Sequence, residues 1–128
     1  LNDAETLKLD QNLNILEIGK KTNNYKDISG QYIGLLKIRS DIAKRLYKIW
    51  DNLDKELKYD GQSFNQMYMT SFIQHLINIG IEVKAIPVNR GWVEIDSPAD
   101  IKVAEGLRSL IAMTRKTLLS SDTVSLRI

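Results

Sequence analysis

The sequence predicts an α/β unit organised on a mixed sheet, and three observations carry that prediction. Short runs of strand formers alternate with longer stretches whose apolar residues recur at helical spacing. Turn and cap signals separate them, in residues 11–14, at Ser40, at Gly80 and at Ser97-Pro98. With 128 residues, 43% of them hydrophobic, the chain is long enough for one core and too short for two full ones.

In order, Leu7-Lys8-Leu9-Asp10 and Ile15-Leu16-Glu17-Ile18 read as two strands of a hairpin around the turn-rich residues 11–14. A polar loop over residues 20–29 follows. Residues 30–38 are nearly continuous in strand formers and predict a central strand buried on both faces, with Gly34 marking a bulge or the close approach of a ligand. After Ser40, a suitable N-cap, Ile42, Leu46, Ile49, Trp50, Leu53 and Leu57 form the apolar stripe of a first helix. A second helix is expected from Ser63, burying Phe64, Met67, Phe72, Leu76 and Ile79 and stopping at Gly80. Residues 81–88 return as a strand that Pro87 confines to an edge, because proline has no N–H to give a ladder. A third helix runs from Pro98 to about Leu118 with Ile101, Ala104, Leu107, Leu110 and Ile111 inward. The expected organisation is one unit over residues 1–118 and a C-terminal tail over 119–128.

Composition narrows the function classes. The net charge is +2 and the basic residues are scattered among acids, so no basic stripe argues for nucleic acid. Cysteine is absent, which removes disulfides, thiolate metal sites and cysteine nucleophiles together. No apolar run approaches the roughly 20 residues of a membrane span and no signal-peptide pattern opens the chain, so a cytoplasmic setting without a membrane partner is expected. The chain opens on Leu1, and a fragment or processed chain is expected.

The chemistry concentrates in Trp92-Val93-Glu94-Ile95-Asp96-Ser97-Pro98-Ala99-Asp100, which reads as a strand delivering carboxylates to the mouth of a capped helix. Ser97 can cap, Pro98 suits the first helical position, and Asp100 belongs to a capping box, so its role is read as structural. Glu94 and Asp96 share one strand face. Asp96, just before the cap, can hold a divalent cation or simply be solvated. The Lys20-Lys21 pair on its own reads as a solvated turn, and His75 lacks any second ligand or nucleophile spaced for a triad or zinc site.

The Trp92-to-Asp96 segment followed by Asp100, after a helix, the Gly80 stop and an edge strand, resembles the C-terminal half of the NTP-transferase family. Gly30-Gln31-Tyr32-Ile33-Gly34-Leu35, preceded by Ile18-Gly19-Lys20-Lys21, adds to the resemblance, which covers about residues 7–107. It is most similar to the choline-phosphate and phosphonate cytidylyltransferase branch, including forms fused to phosphoenolpyruvate mutase. The resemblance implies a mixed-sheet, Rossmann-like nucleotidyltransferase fold of which this chain is the acceptor-side half. It implies Mg²⁺ held by Asp96, and Lys20 or Lys21 facing the phosphate of acceptor or product. Gly34 would line the acceptor pocket, with Tyr32, Trp92 and Glu94 as further substrate-binding residues. It also implies a nucleoside triphosphate, CTP, as donor and a phosphorylated small molecule as acceptor. The chain departs from the family in having no clustered glycines for a nucleotide loop and in carrying Gln31 where relatives often have Glu. The segment alone is therefore expected to be inactive, and an uncovered strand edge is expected to drive homo-oligomerisation. The alternative reading is a non-catalytic interaction or dimerisation module derived from the same fold.

Overall fold

The computed structural model describes residues 4–88, 95, 97–113 and 123–127. By its contacts the chain forms two compact units, one of Leu1–Val88 with Asp122–Ile128 and one of Asn89–Ser121. Five strands and three α-helices stand among the described residues, a mixed α/β architecture as expected.

In the first unit, β1 (Glu5–Leu9) and β2 (Ile15–Lys21) pair antiparallel. Asp10 builds the turn between them: its carboxylate accepts from the backbone N–H groups of Asn12 and Asn14, both at 2.8 Å, and from the Asn14 side chain at 2.9 Å. These bonds hold the Asp10 carboxyl below its ordinary range, the Asn14 side chain contributing most. β3 (Gln31–Lys37) leads into α1 (Ser40–Asp51); α2 (Met69–Asn78) then precedes β4 (Lys84–Val88). β5 (Thr123–Arg127) lies between β3 and β4, parallel to the first and antiparallel to the second. The residues expected as a tail thus supply the middle strand of a mixed three-stranded sheet. β3, expected at the centre, is instead an outer strand among the described residues, with Leu35 and Ile38 exposed. Its continuous run of strand formers covers two environments, and Leu36 rather than its neighbours turns toward the core. β4 is the other outer strand, where Pro87 fits.

The core joins Leu7, Ile15 and Ile18 of the hairpin to Leu46 of α1, Ile73 and Leu76 of α2, and Ile81, Val83 and Ala85 at the approach to β4. Ile73 and Leu76 are completely buried. α1 ends at Asp51, short of Leu57, because Asp54 offers the backbone a competing bond, its carboxylate accepting from the Glu56 N–H at 2.9 Å. The helix expected from Ser63 divides into a single 3-10 turn at Phe64–Gln66 and α2 proper, with Met67 extended between them. Phe64 is kept off α2 by Trp50, whose ring lies 4.9 Å from it and 5.1 Å, edge-on, from Phe72.

In the second unit, α3 (Pro98–Met113) opens with half of the expected box, the Asp100 N–H donating to the Ser97 carbonyl at 3.1 Å and not to its hydroxyl. The Asp100 carboxylate accepts from the Ser97 N–H at 2.8 Å and from the Ser97 hydroxyl at 2.7 Å. Ile101, expected inward, is 47% exposed. No helix among the described residues is long and apolar enough to cross a membrane.

Candidate functional site

β2 carries an irregularity that organises the site. The ladder pairs Leu7 with Ile18 but Glu5 with Lys21, so β2 spends one residue more than β1 over this stretch. Gly19 makes the bulge possible by taking a φ of +82°. The bulge rests on α2: the Ile18 N–H donates to the Gln74 side chain at 2.8 Å, and Gly19 lies against Thr70. On the other side, the Lys20 N–H donates to the buried Thr6 hydroxyl at 3.2 Å.

The bulge gives the two lysines different surroundings. The Lys20 ammonium sits 2.7 Å from Glu17, whose other oxygen takes Lys8 at 2.9 Å, and Lys8 reaches on to Asp27 at 3.3 Å. Lys20 therefore belongs to an ion-pair network on the hairpin. Lys21 ends β2 opposite Glu5, and its charge is felt by the Glu5 carboxylate. The expected polar loop thus begins two residues later than the sequence reading has it.

The Glu17 carboxyl is held at about 2, first by its bond from Lys20 and then by that from Lys8. Because this value is depressed, the stabilisation is fully present above the ordinary carboxyl value of 4.5 and is lost as pH falls through about 2. Chemical denaturation of wild type and Glu17→Gln at a series of pH values should show a stability difference that is flat down to about pH 5 and shrinks below it. A difference that grows on acidification would contradict this account of the network.

A crevice of about 360 Å³ opens between β1 and the start of β3, lined by residues 4–7, Ile18, Ile28 and residues 30–32. It lies beside the point where the two strands meet, at the Leu7–Ile28 bridge and the Ser29 N–H bond to the Leu7 carbonyl at 2.8 Å. Polar groups of Glu5, Thr6, Gln31 and Tyr32 stand on an apolar wall of Leu7, Ile18 and Ile28. Burial raises the Tyr32 phenol above its ordinary range. Burial also raises the Glu5 carboxyl; nearby Asp60 adds to the shift and Lys21 opposes it.

Of the residues singled out from sequence, Tyr32 lines this crevice and Lys21 stands across the ladder from one of its walls. Gly34 does not line it. It sits in the register break between Tyr32 and Leu36, at φ +74°, with open space where a Cβ would be, so conformation and not close packing calls for glycine there. Trp92, Glu94 and Asp96 lie outside the described residues. Among the described residues no three His, Cys, Asp or Glu side chains gather as a metal site. Glu5 and Thr6 are the additions that sequence reasoning missed; Thr6, a strand former beside Leu7, was the available signal.

Over 103 residues the chain is 43% identical to CTP:phosphoglutamine cytidylyltransferase of Campylobacter jejuni, a match that takes in 80% of this chain. The chain spans about 40% of that relative's length. The relative is a cytidylyltransferase, in keeping with the resemblance noted above, but its name gives phosphoglutamine as acceptor. The likeness therefore does not lead to the choline-phosphate branch or to the forms fused to phosphoenolpyruvate mutase. No family model and no solved structure matches the chain.

Proposed function

We propose that this chain forms the acceptor side of a nucleotidyltransferase that moves a cytidylyl group from CTP to a phosphorylated amino-acid amide of the phosphoglutamine type. The identity with the Campylobacter jejuni enzyme carries this reading. The mixed α/β architecture is compatible with it, as the C-terminal half of a Rossmann-like nucleotidyltransferase domain. The crevice beside Tyr32 is the acceptor pocket in this reading.

In the reaction, an oxygen of the acceptor phosphate attacks the α-phosphorus of CTP. The bond from that phosphorus to the bridging oxygen breaks, and pyrophosphate leaves with the electron pair. The protein's work is to position two polyanions and to offset the charge that gathers between them. Lys21 faces the acceptor phosphate. As the family resemblance implies, Asp96 would be the residue to hold Mg²⁺; Asp100 is engaged in the cap of α3. Bound Mg²⁺ supplies charge neutralisation and orients phosphate oxygens. Gln31 and Thr6 offer neutral hydrogen bonds to the acceptor, and Tyr32 offers an apolar face with a polar tip.

Pyrophosphate release by the full-length protein tests the reading. Release is expected only when CTP, Mg²⁺ and phosphoglutamine are all present, together with a product in which cytidine and the acceptor are joined through two phosphates. The 128-residue chain alone is expected to release none, since it carries no clustered glycines to cradle a triphosphate. Turnover by this chain alone would overturn the half-site reading, and no release by the full-length protein would overturn the assignment of substrates.

A further inference from the structure

The bulge in β2 decides which lysine meets the crevice wall. In a regular antiparallel ladder partners advance one residue at a time, so the pairing of Leu7 with Ile18 would place Lys20 opposite Glu5 two residues on. Glu5 pairs with Lys21 instead. The extra residue lets Lys20 reach Glu17 at 2.7 Å and brings Lys21 across from Glu5, which lines the crevice. A bulge that relaxed by one residue would exchange the two lysines.

One stripe of α2 is fitted to this offset. Thr70, Gln74 and Asn78 recur four residues apart and so share a face of the helix. Thr70 lies against Gly19, and the Gln74 Oε1 accepts the Ile18 N–H at 2.8 Å. The Gln74 amide is itself oriented, because its Nε2 donates to the Asn78 Oδ1 at 2.9 Å. Ile18 is 3% exposed, so an N–H left unpaired there would be costly. We propose that Gln74 is a positioning residue of the acceptor site: by holding the Ile18 N–H it fixes the bulge that puts Lys21, and not Lys20, across from Glu5. This rests on the reading of Lys21 as the lysine that faces the acceptor phosphate, and deepens it.

The full-length protein carries the test, with Gln74→Met to remove the acceptor oxygen at nearly constant size and Gln74→Glu to keep it. Gln74→Met should raise the KM for phosphoglutamine by about three- to tenfold, the range for one neutral hydrogen bond, and leave the KM for CTP unchanged. Gln74→Glu should recover most of that loss. A residue that only stabilised the fold would not change which lysine matters. In the Gln74→Met background, however, Lys20→Ala should become costly and Lys21→Ala milder than in wild type, and strictly additive effects would overturn the proposal. Nuclear Overhauser contacts read the same offset without turnover. Glu5 should contact Lys21 in wild type and Lys20 as well in Gln74→Met; contacts confined to Lys21 in both would overturn the proposal. Hydrogen exchange on wild type decides even if Gln74→Met does not fold: a protected Ile18 amide is expected, and one that exchanges freely would show that Gln74 does not hold it. Absence of pyrophosphate release from wild type would bring down the substrate reading, while the Overhauser contacts would still decide the role of Gln74.

Discussion

Replacing Gly19 with alanine should destabilise the fold by about 2–5 kcal/mol, a large share of the roughly 5–15 kcal/mol that holds a domain together. Two separate costs add. Gly19 sits at φ +82°, where an L-residue pays about 1–2 kcal/mol. The added Cβ would also stand 2.5 Å from the Thr70 Cβ and 2.7 Å from its hydroxyl oxygen. Cβ is the root of that side chain and cannot swing aside, so β2 and α2 must part, and overpacking of this kind costs about 1–3 kcal/mol. Gly34 and Gly80 provide the comparison, with φ of +74° and +83° and nothing within 4 Å of an added Cβ. Alanine at either should cost the backbone part alone, about 1–2 kcal/mol. Thr70→Gly in the Gly19→Ala background should return most of the difference. Urea denaturation of the series is the measurement, and equal losses at Gly19 and Gly34 would show that the contact with Thr70 is unimportant.

That contact also shows where a sequence stops being legible. The hairpin, the first helical stripe and the capping box at Ser97 are local patterns, and each could be read from spacing alone. Gly19 invites no such reading, because the need for glycine comes from a residue on a distant helix. The strand at Thr123–Arg127 was hidden for a related reason: its alternation is short, and only pairing with β3 and β4 decides its conformation. Taking that middle place is also what moves β3 to the outside. At the candidate site, Tyr32 and the two lysines could be picked out by type and by family resemblance. The difference between the lysines could not, since it depends on where the bulge falls.

That difference leads to the sharpest expectation for activity. Lys20 and Lys21 are adjacent in sequence, equal in charge and equally suited on paper to meet a phosphate. In the fold, Lys20 is committed to Glu17 at 2.7 Å within a network that also contains Lys8 and Asp27. Reaching a substrate would mean breaking that pair and leaving Glu17 with Lys8 alone. Lys21 has no salt bridge or side-chain hydrogen bond among the described residues and stands across the ladder from Glu5, which lines the crevice. A phosphate arriving there meets an ammonium whose charge the Glu5 carboxylate feels but which no salt bridge ties down. Lys21→Ala in the full-length enzyme should therefore lower kcat/KM for phosphoglutamine by about a hundredfold, the upper range for one charged hydrogen bond. Lys20→Ala should stay within about threefold of wild type in activity, since exposed ion pairs contribute little, and should show its effect in the acid stability that depends on Glu17. Lys21→Arg should restore only part of the rate, because a planar fork does not replace a compact ammonium at a fixed distance. Steady-state kinetics on the three variants decides between the two lysines: a large loss at Lys20 with Lys21 near wild type would reverse the assignment and make the Glu17 pair a device for positioning a substrate-binding lysine.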